Sequence, residues 1–192
     1  VTNASGCSAT SAATTVTVNP LPTANILANG PLTFCQGGSV TLSASPVVAG
    51  NTYLWSIGAT TSSINVTSSA MITVTVTSAA GCSTTSLPTS VNVFTNPTAT
   101  ITATGATTFC QGGSVSFTAN AGNGYSYLWS NGATTASIST STSGNNSVTV
   151  TNLIGCSTTS AINAVVVNPI PSATITAGGS TTICSGSPVS LS

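Results

Sequence analysis

The chain has 192 residues and contains no Lys, Arg, Asp, Glu or His. An ordinary soluble domain is about a quarter charged. The zero here removes every general acid or base that works near neutral pH, any activator for the abundant Ser and Thr hydroxyls, and the basic surface that nucleic acid or an anionic membrane needs. Hydrophobic residues make up 40%, too many for a disordered chain. Enrichment in Val, Ile and Thr predicts an all-β protein. No apolar run approaches the roughly 18 residues of a spanning helix, so membrane insertion is not expected.

In chain order, residues 1–22 read as the end of a preceding repeat, with GCSATS at Gly6–Ser11 and a linker Asn19-Pro20-Leu21-Pro22. A whole repeat is expected over 23–97. It holds strand A near Ile26, TFCQGGSV at Thr33–Val40, and strand B through Val40 and Leu42. Strand C follows through Tyr53 and Trp55, E through Ile64 and Val66, F through Ile72, Val74 and Val76, and G through Val91 and Val93. A second repeat is expected over 98–171. Its strands are B at Val115 and Phe117, C at Tyr127 and Trp129, E at Ile138, F at Val148 and Val150, and G at Val165 and Val167. Residues 172–192, with TICSGSPV at Thr182–Val189, begin a following repeat. Apolar residues alternate at period two within each strand, which predicts strands with one buried face.

The repeat length is fixed by motif spacing. Cys35 to Cys110 is 75 residues, Cys110 to Cys184 is 74 and Cys7 to Cys82 is 75. Short strands at this spacing, with Trp on the third, predict tandem Ig-like β-sandwich repeats of about 75 residues strung end to end. A β-solenoid would need repeats nearer 20–30 residues. The Pro-containing linkers are short and stiff.

Six cysteines, two per repeat, read as a disulfide framework in an oxidising, extracellular setting. No metal or cofactor site is expected, since His, carboxylates and Cys-x-x-Cys pairs are all missing. Two pairings compete for Cys7, Cys35, Cys82, Cys110, Cys156 and Cys184. The favoured one stays within a repeat, Cys35–Cys82 and Cys110–Cys156. The alternative is Cys35–Cys156 between repeats, because the A–B and F–G turns of a sandwich lie at opposite ends and bridged Cα atoms must come within about 7 Å.

The series FCQGGSV, YLWSNGATT, VTVTN and GCSTTS resembles the Ig-like and PKD-like repeats of giant Bacteroidetes cell-surface proteins, which are adhesin-type proteins exported by the type IX secretion system. The resemblance covers the whole chain and implies an extracellular or cell-surface role. The chain departs from that family at Ile72 and Asn146, where Tyr is common, and it lacks the carboxylates that calcium binding normally uses.

The remaining features read as structural. Gly37-Gly38 and Gly112-Gly113 lack the Lys and helix of a phosphate loop and predict a tight turn. Trp55 and Trp129 are expected in the core. Leu54 and Leu128 alternate with core residues, face outward, and recur once per repeat as candidate lateral contacts. An uncharged surface favours association, so the expected partners are copies of the chain in a fibre or sheath. The expected function is a non-catalytic structural segment of an extracellular filament or stalk. The alternative is an adhesin module that binds a glycan or surface through its loops.

Overall fold

A computed structural model describes all 192 residues, which divide into two units, Val1–Thr95 and Asn96–Ser192. The first unit contains β1 (Asn25–Ala28), β2 (Thr33–Cys35), β3 (Val40–Ser45), β4 (Thr52–Trp55) and β5 (Ser63–Val66). It continues with β6 (Ala70–Ile72), β7 (Val74–Thr77), β8 (Ser83–Thr85) and β9 (Thr89–Phe94). One layer has the antiparallel order β1-β3-β5, the expected strands A, B and E. Two further ladders, β4-β7-β8 and β2-β9-β6, supply the facing layer.

Those two ladders are continuous through the chain. β6 and β7 are strand F interrupted only at Thr73, and β8 and β9 are strand G interrupted by Ser86, Leu87 and Pro88. Pro88 cannot donate to a ladder. Ser86 spans the break: its backbone N donates to Val74 O at 2.9 Å, and its Oγ accepts from Val74 N at 3.1 Å. The layer therefore reads C–F–G–A′. β2 is the A′ strand, running parallel to β9 with Cys35 opposite Phe94. Sequence periodicity gave no sign of this three-residue strand.

Alternation decides which side of each strand is buried. Val40, Leu42 and Ala44 of β3 face in while Thr41 faces out. Leu42 and Ile64 from one layer meet Trp55, Val74, Val76 and Val91 from the other in a single core cluster. Each such side chain contributes about 1.5–3 kcal/mol on burial, and a core this small leaves a repeat only marginally stable. Trp55 is 1% exposed and its Nε1 donates to Thr61 O at 2.8 Å, so its polar atom is satisfied inside the core.

The second unit repeats this plan. Its strands are β10 (Ile101–Thr104), β11 (Thr108–Cys110), β12 (Val115–Ala119), β13 (Ser126–Trp129) and β14 (Ser137–Thr140). Then come β15 (Gly144–Asn146), β16 (Val148–Thr151), β17 (Ser157–Thr159) and β18 (Asn163–Asn168). The register is preserved. Ala28 opposite Leu42 recurs as Ala103 opposite Phe117, and Trp55 opposite Val74 as Trp129 opposite Val148. Trp129 Nε1 donates to Thr135 O at 2.8 Å. The chain is all-β, and each unit holds an Ig-like sandwich.

The same local geometry marks the outer segments. Ala177 bridges Leu191, matching the Ala103–Phe117 pair one repeat on. Near the start, Thr2 bridges Ser8 around Gly6-Cys7, in the hairpin that Gly81-Cys82 and Gly155-Cys156 also form.

Candidate functional site

Two features stand outside core packing: the turns that carry cysteine, and the outward sheet faces.

The FCQGG turn is built by its glycines. Gly38 N donates to Cys35 O at 2.9 Å and Gly37 has φ +95°, the type II arrangement that needs positive φ at its third residue. Gly38 is needed for space, since a Cβ there would sit 3.0 Å from the Phe34 ring and 3.1 Å from Cys35 O. Cys110 occupies the equivalent turn, with Gly113 N donating to Cys110 O at 3.0 Å.

The GCS turn closes the F–G hairpin. Gly155 N donates to Asn152 O at 3.0 Å and Asn152 N donates to Cys156 O at 2.9 Å. The Asn152 side chain adds two bonds, its Oδ1 accepting from Ile154 N at 3.1 Å and Cys156 N at 3.0 Å. Asn3 does the same for Ser5 N and Cys7 N. Ser78 replaces this asparagine in the first repeat, and its buried Oγ has no hydrogen-bond partner.

Register places the two turns at opposite ends of a repeat. Cys35 lies beside Phe94, where strand G leaves the sandwich. The F–G turn lies at the other end with the start of strand A, because Ile101 is opposite Ala119 and Ser126 is opposite Thr151. The within-repeat pairs are accordingly not formed. Cys82 and Cys110 carry free thiols, as do Cys7 and Cys184, whereas Cys35 and Cys156 are disulfide-bonded. Spanning the length of a sandwich is incompatible with disulfide geometry, which corrects the favoured Cys35–Cys82 and Cys110–Cys156 assignment.

At the F–G-turn end of the layer, strands C, F and G present an outward two-by-three grid in each repeat. In the first, the rows are Thr52–Thr77–Ser83 and Leu54–Thr75–Thr85. In the second they are Ser126–Thr151–Ser157 and Leu128–Thr149–Thr159. Leu54 and Leu128 are each 54% exposed. The Thr75 and Thr85 hydroxyls bond at 2.8 Å, and those of Thr149 and Thr159 at 2.9 Å. The opposite face carries Leu27–Ser43–Ser63 and Asn29–Thr41–Asn65 in the first repeat, with Asn29 joined to the row by a bond from its backbone N to Thr41 O. In the second it carries Thr102–Thr118–Ser137 and Thr104–Ser116–Ser139.

Each repeat also has a shallow crevice beside the end of strand G, between Gln36 and Ser68 in the first and between Gln111 and Thr142 in the second. Its serine is committed to bracing the strand: Ser69 Oγ accepts from Val93 N at 2.8 Å, and Ser143 Oγ from Val167 N at 2.8 Å. No group of three or more His, Cys, Asp or Glu is placed to hold a metal ion.

No protein-family model and no curated protein matches the sequence. Among solved structures, three N-terminal domains of the bacteriophage RB49 highly immunogenic outer capsid protein (Hoc) are similar at 20% identity and TM-score 0.38, over 76% of this chain and 59% of that one. Murine CEACAM1b is similar at 14% identity and TM-score 0.36, over 77% of this chain and 100% of that one. Fibronectin(III)-like modules of Clostridium thermocellum CbhA are similar at 13% identity and TM-score 0.34, over 75% and 94%. The assignment of an Ig-like sandwich rests on the strand order and register above.

Proposed function

We propose that the chain is a non-catalytic structural segment of an extracellular or cell-surface filament or stalk, made of successive Ig-like repeats that associate with further copies. The observation that supports this reading is the state of the cysteines. Motif-equivalent residues differ, Cys35 bonded and Cys110 free, Cys156 bonded and Cys82 free. A pairing rule confined to one repeat would treat both repeats alike.

In this reading Cys35 is bonded to Cys156, across the Asn96-Pro97 linker. The FCQGG cysteine lies where the chain leaves its repeat, and the GCS cysteine where the chain enters the next. The same rule gives Cys110 a partner in the GCS turn of a following repeat and Cys82 one in the FCQGG turn of a preceding repeat. Each bond contributes about 2–4 kcal/mol to repeats whose own cores are small, and the array becomes covalently tied at every joint. A stable disulfide of this kind belongs to an oxidising compartment outside the cell. Leu54 and Leu128 supply lateral contacts.

Trypsin has no site in a chain without Lys or Arg, so the test is a pepsin digest of non-reduced protein mapped by mass spectrometry. The expected crosslinked peptide joins Cys35 to Cys156; a Cys35–Cys82 peptide would sink the covalent array. Electron micrographs address the assembly. Laterally ordered filaments are expected, and isolated strings ending in a distinct tip would favour the adhesin reading instead.

A further inference from the structure

We infer that the outward C–F–G grid near the F–G turn is a docking surface for the same grid of a second copy of this chain, which rests on the self-associating reading above and names the surface responsible. Each repeat has two outward sheet faces, and neither contributes to the core. The grids on the two faces differ in how well they are kept from one repeat to the next; the rest of the C–F–G–A′ outer face drifts, with Met71 against Asn145, Ser90 against Ala164 and Asn92 against Val166. On the C–F–G grid five of six positions are identical, and the sixth, Thr52 against Ser126, keeps its hydroxyl. On the A–B–E grid one of six is identical, Ser63 against Ser137, while Leu27 gives way to Thr102. Strand propensity and solubility act on both faces alike, so they do not explain why one grid is held and the other drifts. Contact with a partner does.

The chemistry of the grid selects the partner. Charged groups docking here would lose their hydration and meet no counter-charge. Every Thr or Ser hydroxyl is both donor and acceptor. The bonded pairs Thr75–Thr85 and Thr149–Thr159 each keep one O–H and spare lone pairs for an opposing surface. Beside them sits a half-exposed Leu, which needs an apolar group opposite. A second copy of the same face offers all three features: neutrality, hydroxyls in both roles, and Leu at a fixed place in the grid. One grid alone falls short of the roughly 1,000 Å² of a stable interface. Grids repeated along the chain add through effective concentration, so the contact is weak per repeat and strong per fibre.

The test is sedimentation of the 192-residue chain at rising concentration, with the free thiols alkylated so that only non-covalent contacts count. Wild type is expected to self-associate reversibly. Leu54→Gln with Leu128→Gln is expected to weaken association at least about tenfold, and Leu27→Gln with Thr102→Gln on the other face by less than about twofold. Near-ultraviolet dichroism of Trp55 and Trp129 checks that the sandwiches persist. Thr85→Val with Thr159→Val keeps shape, removes a hydroxyl, and is expected to weaken association about threefold, which carries the test should the Leu54/Leu128 variant misfold. Equal weakening from both faces would overturn the docking surface while leaving self-association in place. A wild-type chain that stays monomeric throughout would remove self-association itself. Retention of monomeric wild type on an insoluble neutral polysaccharide, lost in the Leu54/Leu128 variant, would put a glycan on this face and overturn the second copy as its occupant.

Discussion

The two repeats share a frame and differ in what fills it. Strand order, register, the buried Trp and its bond to a loop carbonyl are the same in both. Their cores are unequal. The first buries Ile72 at 0% exposure where the second buries Asn146 at 8%, and Val66 is buried where Thr140 is only partly so. Asn146 Nδ2 reaches Asn163 O at 3.4 Å and Gly144 O at 3.5 Å, both long for hydrogen bonds. The backbone scaffold therefore does not need an apolar residue at this point of strand F, but the second repeat sacrifices stability by lacking one. A repeat this small has little stability to lose, and its GCS turn carries the disulfide-bonded Cys156, whereas Cys82 in the matching turn of the first repeat is free.

Exchanging these residues is the strongest way to break the comparison. Ile72→Asn is expected to destabilise the first repeat by about 3–4 kcal/mol, combining lost apolar burial with a poorly satisfied amide. Asn146→Ile is expected to stabilise the second by about 1–2 kcal/mol. Hydrogen exchange read on peptic peptides assigns each effect to its own repeat. Equal protection of residues 98–168 before and after Asn146→Ile would mean that this core is not limited by its amide.

Much of this arrangement was legible in the sequence because strand burial is a local, period-two signal. Val40 and Leu42, Tyr53 and Trp55, and Val74 and Val76 lie on the strands expected, and Leu54 and Leu128 face outward as their alternation requires. The A′ strands at Thr33–Cys35 and Thr108–Cys110 were not legible. Their parallel pairing with strand G is long-range, and three half-buried residues leave no periodic trace. The sequence leaves the cysteine pairing open between Cys35–Cys82 and Cys35–Cys156 for a different reason. Closing the 121 residues from Cys35 to Cys156 costs only about 1 kcal/mol more than closing the 47 from Cys35 to Cys82. Chain entropy barely separates the two choices, and the end of the sandwich each turn occupies, with Cys82 and Cys110 free, excludes the within-repeat pair. The outer grids are legible only once register is known, since rows such as Leu54–Thr75–Thr85 join residues far apart in sequence.

A smaller contrast concerns the strand C tyrosines. Tyr53 is 8% exposed and its hydroxyl is buried without a partner, whereas the Tyr127 hydroxyl donates to Asn120 O at 3.2 Å. An unpaired buried hydroxyl costs stability that its removal restores, and a paired one contributes about 0.5–1.5 kcal/mol net. Tyr53→Phe is therefore expected to leave the first repeat unchanged or up to about 1 kcal/mol more stable, and Tyr127→Phe to cost the second about 1 kcal/mol. Urea midpoints of the two variants should shift in opposite directions or, for Tyr53→Phe, not at all; a clear loss in Tyr53→Phe would show that its hydroxyl has a partner.

The smallest contrast lies in the F–G turns. Asn152 holds its turn with two side-chain bonds, to Ile154 N and Cys156 N. Ser78 stands at the same point of the first repeat, one atom too short to reach the matching amides, with its own Oγ unpartnered. Asn is well suited to this role because its side-chain carbonyl bonds the backbone two residues on, mimicking a turn. Ser78→Asn should therefore add about 0.5–1 kcal/mol to the first repeat, and Asn152→Ser should remove a similar amount from the second. The readout that separates a turn effect from general stability is amide exchange at Cys82 and Cys156. Protection at Cys82 is expected to rise in Ser78→Asn and protection at Cys156 to fall in Asn152→Ser, each more than at Val76 or Val150 in the adjoining strand. Uniform changes along the strand would place the effect in the core instead. A turn held by Asn also fixes where its cysteine points, so the same substitutions test whether pre-ordering the GCS turn speeds bond formation: Asn152→Ser should slow reoxidation of Cys156 after reduction.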